Sequence, residues 1–460
     1  MAPPKPRSSR HISNDTVRRE GKKADKKNNA PAPAPFPRRK AQDQRQPTDT
    51  STESEGTNQI DIAAAIPKNL QQLLLNVFKT ALLPSDSSDS QDPGAEESLD
   101  IKSLIQTIKS HLYNRDFNSA FADADEGLLR AYALRWSATR ALGYAGLFKS
   151  LLKILVEDDV DDSSENSVSH PTHVVCIGGG AGAEIVAIAA AWRDLIDESI
   201  IPGPQKGLSD ALATASLDDS HDIRGDESTS DSPNQQKADQ QSELPLGKAS
   251  SSNLSITTVD IGDWATVVDR LSSTVLSSTV PGSKSHPAPL LPFHQQHTNA
   301  DGPFNVDFKR LDVLSLSDSD LASLYRTTHS SPSHTTTMVT LMFTLNELFS
   351  TSMPKATAFL LRTTDLLKPG TILLVVDSPG SYSTLKLGKG GSTGAQERQY
   401  PMKFLLNHAL LSVAKGRWEM VFSQDSRWWR RDAARLWYDV GEGAGLEDMR
   451  FQIHVYRRVG

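Results

Sequence analysis

Apolar residues follow two different periods along this chain. Between 60 and 83 they recur at helical spacing through Leu70, Leu73, Leu74, Val77, Phe78 and Ala81, until Pro84 and a run of Ser and Asp end the pattern. This predicts an amphipathic helix and a linker across 59–98. A second helical stretch runs from about 99 to 155, where EGLLRAYALRWSATRALGYAGLFKSLLKIL sets Leu, Tyr, Trp and Phe among regularly placed Arg. It reads as a helical extension over 99–170, packed beside the domain that follows at 171–460. In that domain HVVCI (173–177), SITTVDI (255–261), FKRLDVL (308–314), MVTLMFTL (338–345) and TILLVVDS (371–378) read as strands. Between them GAEIVAIAAAW (182–192), WATVVDRLSSTVL (264–276) and residues 353–367 read as helices. Alternation of this kind predicts an α/β fold, a parallel sheet with helices on both faces. WEMVFS (418–423) and FQIHVYRR (451–458) predict a closing strand pair, which can run antiparallel without a crossover helix.

Composition changes the picture at the tail and between the elements. Hydrophobic residues make up only 37% of the chain, which predicts disorder in part of it. Residues 1–58 are rich in Pro, Lys, Arg, Ser and Thr and are expected to form a disordered arm. Residues 1–45 hold 13 of the 49 basic residues but only 4 of the 56 acidic ones, so the net charge of -7 hides a basic arm on an acidic remainder. Such an arm suits a nuclear or nucleolar address or a phosphate-binding tail, and equally a solvated tail with neither role. Low-complexity stretches at 157–169, 202–252, 281–300 and 327–336 are expected to be surface insertions, mostly disordered. Cys176 is the single cysteine, which excludes an intramolecular disulfide and a cysteine-rich zinc site; no metal is expected. With no long apolar run and no apolar leader, the expectation is a soluble intracellular monomer without a membrane partner.

The candidate chemistry sits after the first strand. GGGAGAE places Gly178, Gly180 and Gly182 at the entrance of a helix, where a β-carbon would block a nucleoside from the backbone. Glycines also close ordinary strand-to-helix turns, so the neighbours matter. Asp260 ends the second strand, where a carboxylate can accept both hydroxyls of a ribose, and Asp312 follows the third, placed to meet an adenine amino group. Either can equally be a turn residue or helix cap. A dinucleotide fingerprint would ask for glycine three residues after Gly180, and Ala183 stands there. With the terminal strand pair, this favours S-adenosylmethionine over NAD and predicts a Rossmann-like class I methyltransferase sheet. A nicotinamide-dependent oxidoreductase is the alternative.

HPTHVVCIGGGAGAEIVAIAAAW, FTLNELF, LLKPGTILLVVDSPGSYS, DSRWWRR and MRFQIHVYRR resemble the fungal large-subunit ribosomal RNA uridine-N3 methyltransferases over about 99–460, insertions aside. The resemblance implies S-adenosylmethionine as cofactor, and large-subunit ribosomal RNA or a pre-ribosomal particle as partner. Methyltransferases more widely often carry an acidic residue two positions before the first loop glycine; Cys176 stands there instead, so the methionine amino group must be met by backbone carbonyls or by Glu184.

For methyl transfer to a weakly acidic imide nitrogen a proton must leave, and Glu347, at the end of the fourth strand, is the first candidate base. Asn346 is placed to hydrogen-bond the uracil edge, and Asp377, ending the fifth strand, is a second candidate base. Asn346 and Glu347 can also simply cap the next helix. RNA contacts are expected from Arg427, Trp428, Trp429 and Arg430, since aromatic faces beside guanidinium groups stack bases and neutralise phosphates. Arg135, Trp136 and Arg140 are expected to roof the pocket, with Trp136 and Arg140 on one helix face. The bland reading makes one tryptophan core and leaves the arginines in solvent. A noncatalytic RNA-binding assembly factor is the remaining alternative.

Overall fold

The computed structural model describes residues 60, 61, 63–84, 99–161, 172–200, 254–292, 304–326, 336–380, 382–387 and 396–460. The arm at 1–58, the linker at 85–98 and the stretches 162–169, 202–252, 293–300 and 327–335 lie outside these residues. The chain divides into two units, Met1–Thr57 and Asn58–Gly460, and the described residues all belong to the second.

Five strands form a parallel array: β1 (Thr172–Ile177), β2 (Leu254–Asp260), β3 (Phe304–Arg310), β4 (Thr336–Met342) and β5 (Ile372–Asp377). Two more, β8 (Trp418–Trp429) and β9 (Met449–Arg458), return antiparallel, so the sheet order is β3-β2-β1-β4-β5-β9-β8. A separate hairpin, β6 (Tyr382–Leu387) with β7 (Gln396–Pro401), follows β5. The pleat divides the core by alternate residues. Val174 and Cys176 of β1 face one cluster while Val175 and Ile177 face the other. The reversal of strand order between β1 and β4 opens a crevice at the carboxyl edge, where doubly wound sheets bind ligands.

On the first face lie α1 (Lys68–Leu82), α2 (Ile101–Tyr113), α3 (Glu126–Tyr132), α4 (Ala138–Asp161), α5 (Ala183–Ile200) and α6 (Ala265–Val275). On the second lie α7 (Asp318–Leu324), α8 (Leu345–Leu366) and α9 (Met402–Asn407). Asp125 starts α3 by accepting the Leu128 N–H at 2.7 Å, and wide π-type turns at 118–122 and 133–137 flank that helix. The chain beyond the first helix is therefore bent into a wall at the crevice instead of running straight past it.

Several expectations shift. The helix expected across 60–83 spans only 68–82, because Pro67 fits just before a first helical turn. It is no appendage: Leu70, Leu74 and Phe78 are fully buried in the cluster that also holds α5 and α6. The stretch 281–300 is not surface filler throughout, since Leu290 and Leu291 are buried and Arg193 donates to the carbonyls of Pro289 and Leu290. The strand expected at 308–314 lies at 304–310, which leaves Asp312 in the turn beyond it. The closing strand expected at 418–423 continues to Trp429, and the hairpin β6–β7 has no counterpart among the expected elements. The helix expected at 353–367 begins at Leu345. It kinks at Ser352, whose φ of -160° and ψ of 102° lie outside the helical region, two residues before Pro354. Asn346 and Glu347 thus occupy a helix's first turn. Among the described residues no helix is long and apolar enough to cross a membrane.

Candidate active site

A cavity of about 380 Å³ opens at the crevice, within the range of sites that enclose a small organic ligand. Gly178, Asp260, Asp312 and Glu347 line it from the sheet side, and Tyr132 and Arg140 line it from the helical wall. Two glycines show why the loop has its composition. Gly178 holds a φ of +77°, which disfavours any side chain. A β-carbon on Gly180 would stand 2.2 Å from Trp264 Cδ1 and 2.9 Å from Asp260 Cβ, so the loop lies against the end of β2. Gly180, Gly182 and Glu184 are absent from the cavity's lining; Gly182 opens α5 against Leu271 of α6.

Asp260 ties the two loops together, accepting the N–H groups of Gly180 and Gly262, each at 3.2 Å. Burial raises its pKa, and those donors oppose the rise. Asp312 is exposed at the rim, where it accepts the Leu314 N–H at 3.0 Å and the Ser315 hydroxyl. Glu184, in the first turn of α5, is buried with Oε1 unpartnered, and burial pushes its pKa up to about 7.

Glu347 keeps an outlet to solvent through the cavity but is otherwise walled by protein. Burial, then the neighbouring Asp377 carboxylate, pushes it up to about 8. Asp377 is buried, raised to about 6 by burial, and accepts the Asn346 N–H at 3.0 Å and the Ser378 N–H at 2.7 Å. It does not line the cavity; it anchors the first turn of α8, which carries Glu347. Asn346 keeps a buried, unpartnered Oδ1.

Arg140 faces this acidic group from α4. Its guanidinium donates to the Tyr132 hydroxyl at 2.8 Å and lies 4.8 Å above the Phe343 ring. Burial works against its charge, but Tyr132, Tyr144 and Glu184 more than offset that, and its pKa stands above the ordinary value. Trp136 stays outside the cavity lining and packs on Tyr132 with ring centroids 4.8 Å apart. Arg135 points elsewhere: buried, it pairs with Glu447 and donates to the Gly445 carbonyl, pinning the loop before β9.

The tryptophan pair separates as neighbours on a strand must. Trp429 packs against α4 at Gly143, whereas Trp428 is 50% exposed, with the guanidinium of Arg430 at 4.1 Å and that of Arg450 at 5.7 Å from its ring. Arg430 also pairs with Asp448 at 2.6 Å, and Arg427 is half-buried on the same strand. Because β8 runs antiparallel to β9, and β9 to β5, β8 points the same way as the parallel strands. Trp428 therefore reaches the sheet edge that carries the cavity.

Sequence reasoning missed Tyr132, Trp264 and Phe343. Tyr132 and Trp264 come from helices whose docking is a tertiary matter. Phe343 left one signal, a large residue between a strand and a helix start, where it takes a φ of +59° that such residues rarely adopt.

Gly178 in the cavity wall, the carboxylate ending β2 and the buried Glu184 carboxyl behind that wall fit a nucleoside joined to an amino acid, as S-adenosylmethionine is. Residues 78–457 match the family model described as "Putative SAM-dependent methyltransferase". The 25S rRNA (uridine(2843)-N(3))-methyltransferase of Saccharomyces cerevisiae is 29% identical over 398 residues, 85% of each chain. Among solved structures, a SAM-dependent methyltransferase from Methanosarcina mazei is 11% identical, covering 64% of this chain and 94% of its own at a TM-score of 0.26. The 16S rRNA (adenine(1408)-N(1))-methyltransferase from Catenulisporales acidiphilia is 10% identical, covering 63% and 88% at a TM-score of 0.23. Likenesses that weak leave the fold to its own strand order. The family sets aside the nicotinamide alternative: this chain belongs to the SAM-dependent methyltransferases, with S-adenosylmethionine as its cofactor.

Proposed function

We propose that the chain methylates N3 of a uridine in large-subunit ribosomal RNA, the reaction named for its Saccharomyces cerevisiae relative. The observation that carries this reading beyond the name is Glu347, a carboxylate in the cavity wall, raised to about 8 and facing Arg140. A base must have a pKa near the working pH and within reach of the acidity of its target, and a uridine imide is a weak acid.

S-adenosylmethionine supplies the methyl group from its sulfonium. In this reading Gly178 leaves room for the nucleoside, Gly180 lets the loop close on Trp264 and Asp260, Asp260 holds the ribose, Asp312 stands at the adenine end, and Glu184 meets the amino-acid end. Ionised Glu347 takes the proton from N3 as the N–CH3 bond forms and the sulfonium–CH3 bond breaks. Negative charge spreading onto the uracil carbonyls is met by Arg140, and Asn346 is left free to hydrogen-bond the base edge. Asp377, expected as a second base, is walled off from the cavity and in this reading supports Glu347 through its bond to the start of α8.

Trp428, between Arg430 and Arg450, offers a stacking face and two cations at the same edge, suited to an unpaired base and its phosphates. A target inside a ribosomal helix would have to be splayed out to enter the cavity, which favours unfolded pre-ribosomal RNA as the partner and the nucleolus as the place of action.

The test is nucleoside mass spectrometry of large-subunit RNA from a strain lacking the gene, complemented with wild type or with Glu347→Gln. Loss of one N3-methyluridine in the deletion, and its reduction by about 10²- to 10⁴-fold in rate with the variant protein in vitro, is expected for a lost general base. Loss of another methylated nucleoside would overturn the uridine assignment. An unchanged RNA in the deletion would favour a noncatalytic assembly factor.

A further inference from the structure

Four carboxylates from four elements gather at the carboxyl edge: Asp260 from β2 and Glu347 from α8 line the cavity, and Glu184 from α5 and Asp377 from β5 are buried behind its wall. One guanidinium, Arg140, faces them. Asp260 and Asp377 each accept two backbone N–H groups, which stabilise their charges in place. Glu184 has an oxygen with no partner, and Glu347 faces the open space. One cation cannot neutralise four buried anions, so around neutrality protons reside on the two glutamates.

We propose that this cavity reads the charge of its occupant: it admits the sulfonium cofactor by expelling a proton from Glu347, and holds the thioether product, which lacks that charge, without doing so. S-adenosylmethionine and S-adenosylhomocysteine both carry an ammonium and a carboxylate, and they differ by the methyl group and its sulfonium charge. A positive charge brought among these carboxylates favours their ionised forms. When the methyl group leaves, that charge disappears and a proton returns to the site. Glu347 is thereby made a base only while the donor is present, and the product loses the attraction that held the donor. The inference rests on S-adenosylmethionine as the cofactor and not on the identity of the RNA target.

The sign follows from the groups themselves. Glu347, near 8, and Glu184, near 7, are raised above the ordinary 4.5 and hold protons around neutrality. A ligand whose binding expels one proton binds more tightly as pH rises, by at most about tenfold per pH unit below the pKa, and the gain ends above it. The other titratable groups turned toward the cluster are Tyr132 from α3, Tyr144 from α4 and Cys176 from β1. All three are raised above their ordinary values and stay neutral between pH 6 and 8. Arg140 stays charged, Asp377, raised to about 6, titrates at the low end of that range, Asp260 is raised by burial against its two N–H donors, and Asp312 is exposed at the rim.

Titration calorimetry on the full chain tests this without turnover. Binding heats are measured at pH 7 in phosphate and in Tris, which differ in ionisation enthalpy, for S-adenosylmethionine, S-adenosylhomocysteine and sinefungin, whose ammonium replaces the sulfonium. The two cations are expected to release about one proton each and the thioether less than half as many. From pH 6 to 8 the affinity ratio of donor to product is expected to rise about tenfold. Glu347→Gln should remove at least half of the release. Equal proton release by donor and product, or a ratio flat with pH, would overturn the proposal, and the wild-type measurements decide it even if a variant fails to fold. Failure to bind either nucleoside would instead count against the cofactor assignment.

Discussion

Among single residues, Arg140 is the group whose removal separates charge from shape. Arg140→Gln keeps a donor for the Tyr132 hydroxyl but deletes the cation that lowers Glu347. The acidic limb of the pH–rate profile is expected to move about one unit to higher pH, the low end of what an opposite charge at close range contributes. A second expectation concerns stability. Glu347 is raised in the folded state, so its contribution is fully present below the unfolded value of 4.5 and is lost as pH rises through about 8. Cofactor-free Glu347→Gln should therefore gain melting temperature on wild type between pH 5 and 8.5; a difference constant with pH would contradict the raised carboxyl. The glycines and Asp260 were legible from sequence because a tight turn at a strand end restricts local conformation. The roles of Arg135 and Arg140 were not, because the two stand five positions apart in one helical stretch. Only packing decides that Arg135 pins the loop at Gly445 and Arg140 enters the cavity.

Among the elements, α1 shows where periodicity succeeds and where it stops. Its apolar stripe is plain, but a stripe does not name its partner. The structure packs it on α6 and α5, so that Phe78 is fully buried within the core of the catalytic unit. Phe78→Ala should cost about 3–5 kcal/mol, as large-to-small changes in a packed core do, and a chemical denaturation midpoint left unmoved would detach the helix from the fold. Strands β1, β2, β4 and β5, rich in branched residues and buried on both faces, lie nearly where the sequence places them. β3 is displaced because its burial is only partial, and β8 outruns its expected end because its outer half alternates with charged residues. The hairpin β6–β7 carries a polar sequence, QERQYP, in one strand and gives no hydrophobic signal.

Across the molecule, the reversal between β1 and β4 creates the cavity and the antiparallel return of β9 and β8 extends its edge. Trp428→Ala should weaken RNA binding by about 1–3 kcal/mol while leaving cofactor affinity unchanged, the loss expected for one stacked base. A matching fall in cofactor affinity, read by calorimetry, would tie Trp428 to the core instead. The general α/β order was readable from the chain because each strand and helix announces its own period. The meeting of α3 and α4 with the carboxyl edge was not, because it depends on bends at 118–122 and 133–137 that carry no period. The return of β8 has a wider consequence. In the proposed reading the methyl donor lies against residues between Phe117 and Thr351, while the exposed aromatic shelf is built from the last two strands of the sheet. On that reading the two surfaces belong to separable stretches of chain, and substitutions can accumulate on the shelf, changing which RNA is admitted, while the chemistry beside it is inherited intact.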